Sequence, residues 1–376
     1  MAKRRSRGKG SIFRRKDGLW AAEVTLPSGK KMTKYSKVQK VVRDWLQEQQ
    51  NGLRQGIWSD AESVTVQTFL ERYKADVVLH TLRPKTQETY TIIIDTHLVP
   101  EIGRIKLNAL RPDHLQKLYS DKLKAGKSRR TVQHIHAVVH RALTHAVKWG
   151  LVPRNVADAV EAPRPQQKPP EMLTEAQALS FLDYVKDDPL YPLWLTLFST
   201  GMRKGEVLGL RWSDVDMAAG IIHVSQVAQA VHKRGTMISE PKTDQSRRSI
   251  GLPPMTVAAL KVHKERTARY QDFEYFKDQD LVFCTKRGTP FGSRNLLTYF
   301  HRALVKAGLP TVTLHSLRHL HATMLLKAGL HPKIVQSRLG HSQIGMTMDL
   351  YSHVMPGMDE KATDEISRVL GAATTA

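Results

Sequence analysis

The 376-residue sequence predicts a multidomain α+β protein: a small three-stranded sheet with one helix, then an all-helical domain, then a mixed, mainly helical domain. Three observations predict it. The chain is longer than two average domains of roughly 150 residues, so each part has length for a real core. Hairpin-type turn signals punctuate residues 1–60, whereas helical apolar spacing runs through 63–160. Finally, the stretch Glu161 to Pro170 (EAPRPQQKPP) holds four prolines, which stiffen and extend the backbone as a linker over 161–171 before a domain at 172–376.

The elements follow in order. A basic start (Lys3, Arg4, Arg5, Arg7, Lys9) leads into short strand-like runs broken at Asp17-Gly18 and at Pro27-Ser28-Gly29. Ser36 opens a helix as a capping box with Gln39; Val38, Val41, Val42, Trp45 and Leu46 share one face, and Gly52 closes it. The middle domain reads as helices around Phe69, Leu70 and Tyr73, from Thr89 to Leu98, from Asp113 to Leu123, and from the cap Ser128 to Trp149. The last buries Val132, Ile135, Val138, Val139, Leu143 and Val147 and stops at Gly150. In the final domain Leu193 to Phe198 and Val207 to Leu210 flank a turn at Gly201. Ile221 to Val227, Lys242 to Leu252 and Leu281 to Phe283 read as strands; Asn295 to Ala307, His315 to Ala328, Pro332 to Leu339 and Asp359 to Gly371 read as helices. No internal repeat of solenoid period is present.

Lys and Arg number 58 against 35 Asp and Glu, a net charge of +23. Such a charge favours a polyanionic partner, nucleic acid first and an anionic membrane surface second, because each cation set on a phosphate releases a condensed counterion. The start lacks the apolar stretch of a signal peptide, and no apolar run approaches the roughly 18 residues that span a bilayer. The single Cys284 reads as a small buried hydrophobe. A soluble protein of a reducing compartment, without membrane association, is expected.

Two basic groups are candidates for duplex DNA. Arg4 and Arg5 in the amino-terminal arm, with Arg14, Arg15, Lys16, Lys30, Lys31 and Lys34 on short strands or their turns, make a compact basic hairpin suited to a major groove. The bland alternative is a solvated tail. Arg129, Arg130, His136 and His140 form the second group, on the longest helix of the middle domain. His136 and His140, like His315 and His319, are four apart, the spacing of metalloprotease helices. In H-S-L-R-H, however, Ser316 stands where a glutamate is needed and no carboxylate cluster accompanies it, so no metal and no cofactor is expected.

Three segments of the last domain carry chemistry. In S-T-G-M-R-K-G-E-V-L-G-L-R-W (199–212) a glycine turn brings Arg203 to a helix start, where anions are favoured; Glu206, one turn on, cannot hold a phosphate and orients its neighbours instead. In L-H-S-L-R-H (314–319) the spacing puts His315 and Arg318 on one helical face. In L-G-H-S-Q-I-G-M-T-M-D-L-Y-S-H-V (339–354) His341 follows a glycine-ended helix, with Tyr351 ten residues later.

Arg203, His315, Arg318, His341 and Tyr351, with Lys242 in the turn E-P-K-T-D-Q-S-R-R-S-I, resemble the active-site set of the tyrosine recombinases, the lambda-type phage integrase family, in order, spacing and flanking residues. The two preceding domains resemble the arm-type and core-binding domains of integrases from temperate phages and conjugative transposons. Ser316 stands where the family often has Asp, and Asn155-Val156 where it often has Asn-Pro.

The resemblance implies a site-specific DNA recombinase that integrates and excises a mobile element in a bacterial cytoplasm, on the nucleoid. Tyr351 would attack the scissile phosphate to give a 3′-phosphotyrosyl intermediate, with His315 as base, Lys242 as acid toward the 5′ oxygen, His341 on the phosphate, and Arg203 and Arg318 clamping its oxygens. Arg247 and Arg248 compete with Lys242 on position alone, although an arginine yields its proton poorly. Implied partners are double-stranded DNA at attachment core and arm sites and a homo-tetramer exchanging its C-terminal helix, with room for an excisionase and a host DNA-bending protein. Docking of that helix on its own domain is the alternative. A non-catalytic DNA-binding regulator and a type IB topoisomerase are the competing functions; the first leaves Tyr351 and its partners unexplained, the second needs no arm-binding domain.

Overall fold

A computed structural model of the chain describes residues 10–25, 31–54, 64–165, 171–231, 235–241 and 244–340, with Gln343, Gly345, Met348 and Ser367 as isolated positions beyond them. The architecture is mixed α and β, and the chain divides into two compact units, Met1–Gln167 and Lys168–Ala376.

The first unit opens with an antiparallel sheet of β1 (Ser11–Arg14), β2 (Trp20–Thr25) and β3 (Lys31–Ser36) in the order β1-β2-β3. The Asp17-Gly18 turn works because Gly18 takes φ 82°, a left-handed conformation that glycine adopts without steric strain. On one face Ala22 and Val24 pack against Val42 and Leu46 of α1 (Gln39–Arg54), and alternation along the strands supplies Ile12, Trp20 and Met32 to the same cluster. Two expectations fail here. Val38 and Val41 are exposed, because covering three short strands takes only the narrow stripe through Val42 and Leu46. Ser36 ends β3, its Oγ accepting from the Val38 N–H at 3.1 Å, so the helix begins at Gln39; it also runs through Gly52 to Arg54.

The remainder of this unit is helical. The helix α2 (Val66–Tyr73) passes through a π turn, Lys74–Val78, into α3 (Leu79–Thr81), and α4 (Pro84–Ile93) passes likewise through Ile94–Leu98 into α5 (Val99–Ile102). Lys74 and Asp95, one in each π turn, pair at 2.7 Å. After α6 (Pro112–Lys124), α7 (Arg129–Lys148) crosses the core, capped by Ser128, whose Oγ accepts from the Thr131 N–H at 3.1 Å. The apolar stripe predicted for it is buried at Val132, Ile135, Val138, Val139 and Leu143, against Phe69, Leu70, Tyr73, Ile94 and Leu115. Asn155 donates to the His140 carbonyl at 3.0 Å and accepts from the Ala157 N–H at 3.0 Å, ending the domain without a proline.

The second unit is built around α9 (Tyr191–Thr200), whose Leu193, Trp194, Leu195 and Leu197 are all buried, so it is a central rather than an amphipathic helix. Packed with it are α8 (Glu175–Tyr184), α10 (Lys204–Leu208), α11 (Pro254–Ala268), α12 (Ser293–Lys306), α13 (Leu314–Lys327) and α14 (Pro332–Leu339). The strands are β4 (Val215–Asp216), β5 (Ile221–Val224), β6 (Val227–Val231), β7 (Gly235–Ser239) and β8 (Arg248–Gly251). They form an antiparallel sheet β4-β5-β8 and a hairpin β6-β7. Among the described residues no helix is long and apolar enough to cross a membrane.

Three strand expectations change. Ile221 to Val227 breaks at Ser225-Gln226, because Ser225 Oγ bonds Asp214 at 2.7 Å and Gln226 Nε2 donates to the Gly209 carbonyl at 2.8 Å, sending β6 into a second sheet. Of Lys242 to Leu252, Lys242 and Thr243 lie outside the described residues, and among the rest only Arg248–Gly251 is strand, preceded by a 3₁₀ turn at Asp244–Ser246. Leu281 to Phe283 is apolar through core burial and makes only an isolated bridge at Leu281; Cys284 is buried, as expected. The helices α8 and α11 go unforeseen, and the predicted helix Asp359 to Gly371 lies, apart from the single helical position Ser367, outside the described residues.

The short helix α10 sits directly on β6 because Gly205 and Gly209 face it. A Cβ at Gly209 would lie 2.8 Å from the Ala228 nitrogen and 3.0 Å from the Val227 carbonyl carbon, both backbone atoms. Gly209→Ala should therefore destabilise the protein by about 1–3 kcal/mol, read as a lower urea midpoint. An unchanged midpoint would show that α10 can lift from the strand freely.

Candidate active site

Gly201 ends α9 in the left-handed conformation (φ 62°) and Gly340 ends α14 the same way (φ 65°), so two helix termini expose carbonyls that lack partners within their helices. Two arginines take them. Arg318, on the second turn of α13, donates from Nη1 to the Gly201 carbonyl at 2.9 Å and from Nη2 to the Leu339 carbonyl at 2.6 Å. Arg203, the residue before α10, donates from Nη2 to the Gly340 carbonyl at 3.0 Å. Neither glycine tolerates a side chain: a Cβ at Gly201 would meet His321 Cδ2 at 2.7 Å, and one at Gly340 the Gln245 carbonyl oxygen at 2.9 Å.

Glu206, only 2% exposed, fixes Arg203. Its carboxylate accepts from the Arg203 backbone N–H at 2.9 Å and from Arg203 Nη1 at 2.8 Å. It accepts equally from Arg248, whose Nη1 and Nη2 lie at 3.2 and 2.9 Å. Burial opposes the carboxylate's charge, but the bonds and charge of Arg248, with those of Arg203, outweigh it and hold Glu206 below the usual carboxyl range. The expectation that Glu206 orients its neighbours agrees with this geometry.

The centre carries more cation than anion. Arg318 is 2% exposed, and burial, followed by the charge of Arg203, pulls its guanidinium down to about 9, so it stays charged at neutral pH. Its Nε is buried without a partner. His315, three residues earlier, keeps an edge to solvent. Crowding by the surrounding protein, then the charges of His319, Arg318 and Arg203, bring it down to about 4. It is a neutral imidazole at pH 7, able to accept a proton or hydrogen-bond an anion, and an arriving phosphate would raise its basicity. The start of α13 is capped by Thr313, whose Oγ1 accepts from the Ser316 N–H at 3.2 Å; the buried Ser316 hydroxyl lies 2.9 Å from that of Thr313.

Arg203 and Arg318 are thus brought together at the end of α14, one residue before His341, and His315, one helical turn before Arg318, feels the charge of both. Lys242, His341 and Tyr351 lie outside the described residues. Arg248 is no rival to Lys242 as acid: 6% exposed, it is bound to Glu206 and to the Arg338 carbonyl at 2.6 Å, while Arg247 pairs with Glu240 at 2.9 Å. Of the basic groups, Arg14, Arg15, Lys16, Lys31 and Lys34 are exposed on the sheet or its turn, Lys31 pairing with Glu23 at 2.8 Å, and Arg4, Arg5 and Lys30 lie outside the described residues. Arg129 and Arg130 are exposed at the start of α7, whereas His136 bonds the Tyr119 hydroxyl at 3.0 Å and His140 pairs with Asp158 at 2.7 Å. Among the described residues no group of three His, Cys, Asp or Glu side chains could hold a metal.

The Phage integrase family profile matches residues 171–357, and the profile for the phage integrase N-terminal SAM-like domain matches 65–123. The chain belongs to the phage integrase family. A tyrosine recombinase XerC-like protein of Caldanaerobacter subterraneus subsp. tengcongensis is 27% identical over 353 residues, covering 89% of this chain and 90% of that one. The Tn1549 transposon integrase, solved in complex with a circular intermediate DNA, matches with a TM-score of 0.67 at 23% identity, over 82% of this chain and 100% of the other. A lambda integrase tetramer bound to a Holliday junction matches at 0.59 and 19% identity, over 92% and 96%. This phage integrase is a site-specific recombinase of the tyrosine type, as the residue pattern implied.

No sequence pattern announces the polar layer behind the site. Arg338 donates from Nε to His321 Nε2 at 3.2 Å, and His321 Nδ1 donates to the Phe198 carbonyl at 3.0 Å, which fixes a neutral tautomer. His263 bonds the Val282 carbonyl at 2.7 Å. Burial is the first cause that brings each histidine down to about 4, with a neighbouring arginine adding to it. In the unfolded integrase both return to about 6.5 and take up protons that the fold refuses. Stability from these groups is therefore complete above about pH 6.5 and lost as pH falls toward 4. At pH 5 each should have withdrawn about 2 kcal/mol relative to pH 7. The urea midpoint should fall over that interval, and less so in His321→Gln; equal falls in both proteins would contradict the assignment.

Proposed function

We propose that the chain cuts and rejoins duplex DNA at the attachment sites of a mobile element, with Tyr351 as nucleophile. The observation that carries this reading is the convergence of Arg203 and Arg318 on the end of α14, with His315 one helical turn before Arg318, and from that end the chain runs to His341 and Tyr351. Arg203 and Arg318 present guanidinium N–H groups to the non-bridging oxygens, each donor contributing on the order of 3 kcal/mol to a pentacoordinate transition state. His315 takes the tyrosine proton, His341 hydrogen-bonds the phosphate, and Lys242 protonates the departing 5′ oxygen. Since the 3′-phosphotyrosyl bond stores the phosphodiester energy, a partner strand's 5′ hydroxyl reverses the step without ATP. No part of this sequence needs a metal.

Residues 1–60 serve arm sites, 63–160 bind the core site, 161–171 form the linker and 172–376 carry the cleavage chemistry. Support comes from the exposed cations of the sheet and of α7, and from the likeness to integrases solved on DNA. Four copies act together, passing the segment after Tyr351 between neighbours; the lambda integrase tetramer on a Holliday junction supports the count. The work is done on bacterial nucleoid DNA in the cytoplasm, with room for an excisionase and a DNA-bending protein. Tyr351→Phe should bind half-site DNA normally yet form no covalent adduct with a nicked suicide substrate on a denaturing gel. Arg203→Ala or Arg318→Ala should slow adduct formation by roughly 10² or more, and EDTA should leave it unchanged. An adduct with Tyr351→Phe would overturn the assignment, and relaxation of DNA without joining two sites would favour a topoisomerase.

A further inference from the structure

Arg248 is a charged side chain, 6% exposed, whose guanidinium is fully engaged. It bonds Glu206 with both Nη atoms, the Arg338 carbonyl near the end of α14 with Nε at 2.6 Å, and the Ser246 carbonyl with Nη1 at 3.2 Å. It therefore joins α10, the end of α14 and the 3₁₀ turn Asp244–Ser246, which is the described remainder of the turn that carries Lys242. Among the described residues no anion other than Glu206 faces it, and Glu206 also faces Arg203.

Count the charges: one carboxylate lies between two guanidiniums. If Arg203 were its only partner, the pair would be neutral and Arg203 would have little attraction left for a phosphate. With Arg248 on the same carboxylate, the group of three keeps a net positive charge, and Arg203, the more exposed of the two arginines, carries it at the surface of the site. We propose that Arg248 is a positioning residue for strand cleavage, which offsets the charge of Glu206 so that Arg203 stays electrostatically free for the scissile phosphate, and which ties the Asp244–Ser246 turn to the arginine pair. This rests on the recombinase reading above. It also explains why an arginine, with its planar fork, stands here: a single donor cannot serve the carboxylate and two carbonyls at once.

The test measures adduct formation at saturating suicide substrate, half-site affinity and the thermal melt for the full chain, for Arg248→Met and Arg248→Lys, each alone and with Glu206→Gln. Wild-type adduct formation checks the recombinase reading itself; its absence would sink that reading, whereas the ratios among variants judge Arg248. Expected are a roughly hundredfold slower cleavage in Arg248→Met with half-site affinity within about threefold, a loss within about tenfold in Arg248→Lys, and partial recovery when Glu206→Gln is added to Arg248→Met, since the charge to be offset is gone. A purely structural Arg248 predicts the reverse, a double variant no faster than the single one, and that result would overturn the proposal. Should Arg248→Met fail to show a folded melt, the Lys variant decides: because it keeps the charge that offsets Glu206, it should stay within about tenfold of wild type, and a hundredfold loss in a folded Arg248→Lys would overturn the proposal equally.

Discussion

The second unit depends on one buried carboxylate. Glu206 is almost without solvent, and an isolated charge there would be prohibitive; it is tolerated because two guanidiniums and a backbone N–H surround it. Removing one partner of such a group typically costs about 3–5 kcal/mol, so α10, β8 and Arg203 are bound into a single arrangement. The helix ends supply the other half of that arrangement. Because α9 and α14 both end in left-handed glycines, their last carbonyls point at Arg318 and Arg203, and cation and carbonyl dipole meet where the helix termini are most negative.

This scaffold leaves a pair of fixed donors with an excess of positive charge and a neutral imidazole beside them. Donors held by the fold need little reorganisation when charge develops on a phosphate, which is the main way a protein accelerates such a step without a metal. The same packing explains the unit's second polar layer, where Arg338 and His321 tie α14 to α9 and α13. Each residue of that layer holds a neighbour in place, and a proton added to His321 would break the layer from within.

Much of the site was legible because its chemistry is local: Arg203 follows a glycine turn, and His315 and Arg318 are one helical turn apart. Glu206 was readable as an orienting group for the same reason. Arg248 was not, since its partners Glu206 and Arg338 lie 42 and 90 residues away in sequence and no periodicity announces a buried ion pair. In the fold, long apolar stripes such as that of α7 were found, while α11 escaped because its few buried positions include Thr256 and His263. The strand breaks at Ser225-Gln226 were set by hydrogen bonds to distant Asp214 and Gly209, which override β propensity.

In the proposed reaction the phosphodiester is broken at the arginine pair at the end of α14. A crystal structure of the full chain on cleaved half-site DNA with orthovanadate bridging the strand ends tests it most directly. The account predicts vanadium joined to Tyr351 Oη, with Arg203 and Arg318 donating to its equatorial oxygens at about 3 Å and Glu206 still shared with Arg248. Vanadate held by other side chains, with Arg203 and Arg318 remote from it, would contradict the account.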